Sequence, residues 1–580
     1  MRLLLFYRTL QYLPAAQVRA RLRLLVKRRW RRLFGTKFSP PKMEARAHQP
    51  LWTGLNFAPR DPARIARAQA IAENRFSFLE KDRKYEGEVD WHDATVPQLW
   101  RYHLHYFDYV LDLALAGEFA TFKRLVQSWL RGNVQLVGDG WHPYTVSLRA
   151  VNWCHAMLAF QRELDQDSAF RTELVRAIAG HVRFVYNNLE LDVRGNHLLE
   201  NLRALIWGGI VFGEERWLKR GMELLETEVA TQVLPDGCHF ERAPGYHLIV
   251  LRDLLEIRLF LQRNRTSPAW LDEAVSRMLE FLKRITGPED RLPLFKDTVL
   301  SRDFPPSELL ALRTFYRALV QWNEPVPEPP KLIAPILPSG WVIARDPRAF
   351  IVADYGKPCP DELPAHAHAD MFSYELTIDG KPCIVDSGVF EYSGLWRNKF
   401  RGTAAHNTVE VNDQNQSEVW GSFRVARRAK PKNVRWLALD GWYGVEGEHD
   451  GYERLRTPVT HRRTLLWRDG LLLVVDELLG DGSVRAKSRI HCHPENAQDV
   501  TKVTVFGTRA VKEEQGWYSE RFGEKREAPV LLLEASGPMP LVFGYCVARG
   551  TAVAVTREPS GELTIEEPSG AIHTVTVPRP

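Results

Sequence analysis

Residues 324–340 read EPVPEPPKLIAPILPSG (Glu324–Gly340), and the six prolines of that stretch prevent a helix from running through it. The chain has a different period on each side. Upstream, from about Asp61 to Asn323, apolar residues recur at helical spacing. In VPQLWRYHLHYFDYVLDLALAGEF they are Leu99, Tyr102, Tyr106, Tyr109 and Leu113; in YHLIVLRDLLEIRLFLQRN they are Val250, Leu254, Ile257 and Leu261. Successive helices of this kind pack as antiparallel pairs in a toroid or bundle. Downstream, WVIARD, AFIVADYG, FSYELTIDG, KPCIVDSG and HNTVEVND are short, rich in β-branched residues and punctuated by DG and SG turns, the pattern of an antiparallel sandwich. The expected organisation is multidomain α+β: a basic extension (1–60), a helical toroid (61–323), a semi-rigid linker (324–340) and a β-sandwich (341–580).

Composition narrows the function classes. The chain has 580 residues, 44% hydrophobic and 26% charged, with a net charge of +6, which is globular and too long for one ordinary core. Cys154, Cys238, Cys359, Cys383, Cys492 and Cys546 are scattered with no CxxC pair, which reads as reduced thiols. No run reaches the roughly 20 apolar residues of a membrane span. Between Met1 and Met43 there is no acidic residue. The opening MRLLLFYRTLQYLPAAQ begins like a signal peptide, but Arg8 interrupts the apolar run and no cleavage site follows. A cytoplasmic or membrane-surface location is therefore expected, with a periplasmic one as the alternative. Val18–Phe34 is a basic amphipathic pattern, which suits a helix packed on the next domain with a solvated basic face, or attachment to an anionic membrane surface or an acidic polymer. No nucleic-acid motif accompanies it, and no Walker loop, GxSxG or GxGxxG is present.

The chemistry-bearing stretch is PAHAHADMFSYEL (Pro364–Leu376), where His366, His368 and Asp370 alternate. On a strand these side chains would share a face. With Asp386 in VDSG and His406 in HNT they offer imidazole and carboxylate, the ligands of Zn²⁺ or a similar ion. The alternative is a set of satisfied polar groups at strand ends. The expected division puts His368 on a metal and His366 on the substrate as a proton-transfer group.

Three helical or loop motifs join it. Asn196 and His197 open the run GNHLLEN; Asn196 suits either an N-cap or a groove-lining amide. Tyr246 in PGYHLIVLRDLL is expected near a helix N-terminus, where backbone N–H groups would favour the phenolate and lower its pKa; the alternative is an ordinary half-buried tyrosine. Arg397 and Arg401 in LWRNKFRG suit recognition of a carboxylate or sulfate, or form a solvated basic loop. They are expected, with Glu241 of CHFERAPGYH, to contact substrate.

In the order GNHLLEN, DGCHFERAPGYH, HAHADMFSYEL, VDSGVFEY and FRGTAAHNTVEV, these motifs resemble the heparinase II/III-like polysaccharide lyases and their alginate-lyase relatives, from about Trp91 through the β-domain. The resemblance implies an N-terminal (α/α) toroid, a C-terminal antiparallel β-sandwich, and β-elimination of an acidic, uronic-acid-containing polysaccharide in the cleft between them. It implies that Asn196, with His197 beside it, neutralises the uronate carboxylate, that Tyr246 and His366 move protons, and that His368, Asp386 and His406 hold a metal. Zinc leads as that metal, with Mn²⁺ or Ca²⁺ behind. Two other readings stay open: a non-catalytic polysaccharide-binding or assembly protein, and a glycoside hydrolase using carboxylates such as Glu200, Asp236 and Glu241.

Overall fold

The computed structural model describes residues 2–576 apart from 36, 47–61, 301–305, 307–335, 346–347, 469, 497–500, 509–510 and 559. Most of the proline-rich stretch, and the expected boundary within it, lies outside the described residues. Helices α1 (Arg2–Leu10) and α2 (Ala15–Phe34) form the N-terminal extension. The helical domain follows with α3 (Pro62–Ala72), α4 (Gln98–Tyr106), α5 (Val110–Ala116), α6 (Phe119–Gly132), α7 (Pro143–Ala159), α8 (Gln161–Gln166), α9 (Ser168–Tyr186), α10 (Gly195–Phe212), α11 (Glu215–Gln232), α12 (Pro244–Asn264) and α13 (Ala269–Ile285). A last helix, α14 (Leu395–Arg401), lies within the strand-rich region.

The helical domain has the packed helix pairs that its apolar spacing suits and the toroid that the resemblance implies. Helix α10 is buried on nearly every face and packs on α7, α9, α11 and α12, which is why LLENLRALIWGGIVF is mostly apolar and its Glu200, Asn201 and Arg203 are buried with polar partners. One expected helix divides. The continuous apolar period from Leu99 to Leu113 is broken at Phe107, which caps α4 in the left-handed region (φ 58°). Its ring is fully buried against Trp91 and Trp153, so aromatic packing outweighs the local preference against that backbone.

The C-terminal region is built from antiparallel sheets. One layer has six strands in the order Pro431–Leu439, Trp442–Tyr452, Val459–Arg468, Leu471–Leu479, Leu541–Arg549 and Thr501–Phe506. Facing it are two four-stranded sheets, Trp341–Ile384 and one assembled from Val409–Val411, Ser483–His491, Val511–Tyr518 and Arg526–Pro538. These two join edge to edge at Ile384 and Cys492. Val474, Leu472 and Tyr545 point into the core between the layers, with Tyr374 and Leu533 opposite. Leu471, Leu473 and Val475 point the other way and are covered by a three-stranded sheet carrying Leu563, Ile565 and Val575. Both faces of Leu471–Val475 are therefore dry, which explains an unbroken apolar run where a half-exposed strand would alternate.

Residues 286–300 carry the chain out of the toroid and pin it to the β-domain. Leu294 N–H donates to Glu375 (2.7 Å) and Leu300 N–H to the Glu520 carbonyl (2.7 Å). Lys296, fully buried, pairs with Asp354 and with Asp370 (3.2 Å). The functional residues gather around this crossing segment.

Candidate active site

The centre of the site is Asp297, the residue after Lys296. Its carboxylate accepts from His366 Nδ1 (2.8 Å), His368 Nε2 (2.9 Å) and both terminal nitrogens of Arg397, Nη2 at 2.8 Å. Burial opposes this charge, but Arg397 and the two imidazole N–H groups outweigh it and hold Asp297 well below the usual carboxylate range. An ionised carboxylate can only accept, so it fixes both tautomers. His366 carries its proton on Nδ1 and leaves Nε2 as a free lone pair; His368 carries its proton on Nε2 and leaves Nδ1.

This corrects the strand reading of HAHAD. Residues 364–373 form turns, and the strand begins only at Tyr374. The two histidines converge because Asp297 draws both rings, and Asp370 turns instead to Lys296. The Lys-Asp dipeptide thus sorts the three polar side chains by charge.

Tyr246 lies in the first turn of α12, and its ring stacks on that of His366 with centroids 3.6 Å apart and 26° between planes. Its hydroxyl is 3.1 Å from that of Tyr392. The expected lowering of its pKa is overturned. Burial, then Tyr392 and Asp297, push the phenol well above its ordinary value, since burial and nearby negative charge outweigh the helix terminus. Tyr246 therefore rests as a neutral O–H donor. His366 is pushed down by burial, which favours the neutral imidazole.

Asn196 is not an N-cap. Helix α10 begins at Gly195, after Arg194, and Asn196 sits inside its first turn with no hydrogen bond from its amide to any described residue. The preceding Gly195 has φ 55°, and a Cβ there would come within 2.4 Å of Leu363 and 3.1 Å of Glu241. Only glycine lets the helix start this close to the β-domain loop. His197 Nδ1 meets Glu190 at 3.0 Å, and its ring lies 4.3 Å from that of Tyr144. Burial raises Glu190, but His197, His142 and the Asn201 amide outweigh it and hold the carboxyl at about 2.

Glu241 is buried behind His366, 3.8 Å from Nε2, and neither of its oxygens has a partner among the described residues. Burial and the Asp297 charge push it up to about 8, so it is largely a neutral acid at pH 7. It is not placed on an open substrate surface. The expectation for the arginines fails in the same way. Arg397 and Arg401 are 1% and 0% exposed, and Arg401 is spent on the carbonyls of Ala367 (2.9 Å) and Ser422 (3.1 Å). Both are internal braces rather than substrate contacts.

His406 donates from Nδ1 to Asp386 (2.7 Å), and its ring lies 5.2 Å from that of His368. His368 Nδ1 and His406 Nε2 are buried nitrogens without partners among the described residues. Two orphaned imidazole nitrogens are donors of the kind a divalent cation takes, but Asp386, expected as the third ligand, sits on His406 Nδ1 rather than Nε2 and orients that ring instead. Among the described residues, His142, Glu190 and His197 form the one trio whose ligand atoms all lie within 4.8 Å of each other, a second arrangement able to hold an ion.

Sequence reading missed Asp297, Tyr392, Glu190 and His142. FKDT carries no motif, and only the pairing of a buried Lys with an adjacent Asp marks it. Of the three carboxylates suggested for hydrolysis, two are otherwise engaged: Glu200 pairs with Arg203 (2.7 Å) and is fully buried, and Asp236 accepts from Ser339 N–H (2.9 Å); the third, Glu241, is the buried acid behind His366.

Comparison with known proteins bears on the family and the fold. Family models for the heparinase II/III N-terminus and the heparinase II/III-like C-terminal region match residues 59–316 and 328–556. A heparin-sulfate lyase of Bacteroides stercoris is 26% identical over 438 residues, 68% of this chain and 63% of its own length, so the match spans less than two thirds of that relative. One of Pedobacter heparinus is 26% identical over 518 residues, 78% of this chain and 74% of its own. The crystal structure of heparinase III superposes with a TM-score of 0.76 at 18% identity, covering 91% of this chain and 93% of that one, and shares the toroid-plus-sandwich fold. With both halves matched in order, the chain belongs to the heparinase II/III-like family.

Proposed function

We propose that this protein is a polysaccharide lyase that cleaves an acidic, uronic-acid-containing glycosaminoglycan by β-elimination. The observation that carries the reading is the Tyr246–His366 stack, with Asp297 behind it fixing the proton of His366 on Nδ1. The C5 proton of a uronate is very weakly acidic while its carboxylate keeps full charge. The unbonded Asn196 amide and His197 are the donors suited to that carboxylate, and preorganised donors of this kind are worth about 10²–10³ in rate each. His366 Nε2 takes the C5 proton. The neutral Tyr246 hydroxyl gives its proton to the leaving glycosidic oxygen, and each transfer contributes about 10²–10⁴. The two groups stand side by side, so proton and leaving group depart from one face of the sugar. That geometry suits a uronate of D-gluco or D-manno configuration, whose C5 hydrogen and C4 oxygen lie on the same face.

A divalent ion, zinc first, would be held by His368 Nδ1 and His406 Nε2, with Asp386 orienting His406. Its contribution when bound is to tether the loop that carries His366. Alginate remains a possible substrate of the same chemistry, since mannuronate shares the required face.

Ultraviolet absorbance and reducing ends, measured together on hyaluronan, chondroitin sulfates, heparan sulfate and alginate, test the proposal. Both signals rise together in elimination. Reducing ends without absorbance would mean hydrolysis, and neither signal on any polymer would favour the binding-protein reading.

A further inference from the structure

Among the described residues, twenty large apolar side chains are more than a third exposed, and twelve of them lie in the first 34 residues. The concentration has a direction. In α2 the face turned to the protein is Gln17, Ala20, Leu24, Lys27 and Arg31. Lys27 donates to the Asn187 carbonyl (2.5 Å) and Arg31 to the Asn188 side chain (2.6 Å). The opposite arc carries Leu22, Leu25, Val26, Trp30 and Leu33, each more than half exposed, with the exposed Arg19 and Arg29 among them. A helix packed on its own domain would show the reverse pattern. Helix α1 behaves alike: Arg8 pairs with Glu418 (2.8 Å) and Thr9 accepts from Trp420 (3.1 Å), while Leu3 is 86% exposed. The extension is thus fastened to both domains by polar groups and turns its apolar groups outward.

Charge decides what covers this surface. The first 43 residues contain twelve Lys and Arg and no acid. A second copy would set these charges against their own kind in a symmetric contact. A polyanionic sugar would match the arginines but leave the apolar arc wet. We propose that α1 and α2 form a docking surface for an anionic lipid bilayer, lying in the interface with the apolar arc buried and Arg19, Arg23 and Arg29 at the headgroups. No described helix is long and apolar enough to cross a membrane, so the contact is peripheral. Arg28, on the flank of α2, is close enough to act electrostatically on Tyr102 and His142. A docked molecule therefore holds this part of the toroid, with His197 beyond it, next to the membrane surface. The inference is independent of the reaction proposed above.

The full chain is sedimented with vesicles of phosphatidylcholine alone and with about 30% phosphatidylglycerol. Binding is expected to the anionic vesicles only, weakening as salt rises. Arg19→Gln with Arg23→Gln should lower partitioning about 25-fold, at about fivefold per arginine. Leu25→Glu with Leu33→Glu should lower it at least about tenfold, with circular dichroism and the rate on a soluble polymer unchanged. Absence of binding by the folded chain, or equal binding by the Leu25/Leu33 variant, would overturn the proposal. So would a lipid-free dimer that the same variant dissociates, which would make the face a self-interface.

Discussion

Replacing Asp297 by Asn should separate stability from catalysis. The wild-type carboxylate serves four N–H donors from three residues, His366, His368 and Arg397, and Arg397 is 1% exposed. Removing the charge leaves a buried guanidinium without its counter-ion, a loss of about 3–5 kcal/mol. An asparagine also offers one acceptor and one donor end, so it cannot accept from both histidines. His366 then loses its fixed tautomer and much of the about 10²–10⁴ that a placed base supplies. Thermal unfolding and initial rates of unsaturated product are measured for Asp297→Asn and for Asp297→Asn with Arg397→Met. The double variant should regain most of the stability, because no buried charge is left unpaired, yet stay at least about 10²-fold slow. Asp297→Asn with a rate within threefold of wild type, or a double variant that recovers rate along with stability, would refute the assignment of Asp297 as the orienting group.

Tyr246→Phe should lower kcat by about 10²–10⁴ with little change in KM, and a loss below tenfold would remove Tyr246 as the proton donor. Glu241 ionises at 4.5 in an ordinary setting and near 8 when folded, so burying it destabilises the protein increasingly as pH rises between those values. Glu241→Gln should accordingly be more stable than wild type at pH 9 and indistinguishable at pH 4; the opposite order would contradict the placement of that carboxyl. If His368 and His406 hold an ion, metal analysis should find it, and a chelator should lower the melting temperature in wild type but not in His406→Ala. Retention of the full metal content by His406→Ala would move the ion to His142, Glu190 and His197. Arg401→Ala should reduce stability while leaving KM unchanged, and a raised KM would restore it as a substrate contact.

The division into helical and strand-rich halves was legible because amphipathic period and turn residues are local signals. HAHAD, DSG and HNT were legible as chemistry for the same reason. What joins them was not. Asp297 stands 69 and 71 residues before His366 and His368 and gathers them only after the domains dock. Loop arginines invite a substrate role in sequence, but Arg397 and Arg401 are needed to neutralise Asp297 and to satisfy carbonyls of the loop that carries the histidines. Tyr246 sits at the helix terminus as its sequence context suggests, yet the burial that reverses its pKa, with Tyr392 and Asp297 adding to it, comes from packing against other segments. The N-terminal helices show the limit in another form. The amphipathic period is visible in sequence, but which arc faces the protein depends on the polar sites at Asn187, Asn188 and Glu418.

Digestion of heparan sulfate and hyaluronan in oxygen-labelled water, with product masses read directly, tests the elimination most sharply. Elimination adds no water, so products of the wild-type protein should take up no label beyond the slow exchange of a reducing-end oxygen, and each new non-reducing end should be one water lighter than a hydrolytic one. Label in the new ends beyond that exchange, or full-mass saturated ends, would show hydrolysis and contradict the roles given to Tyr246 and His366.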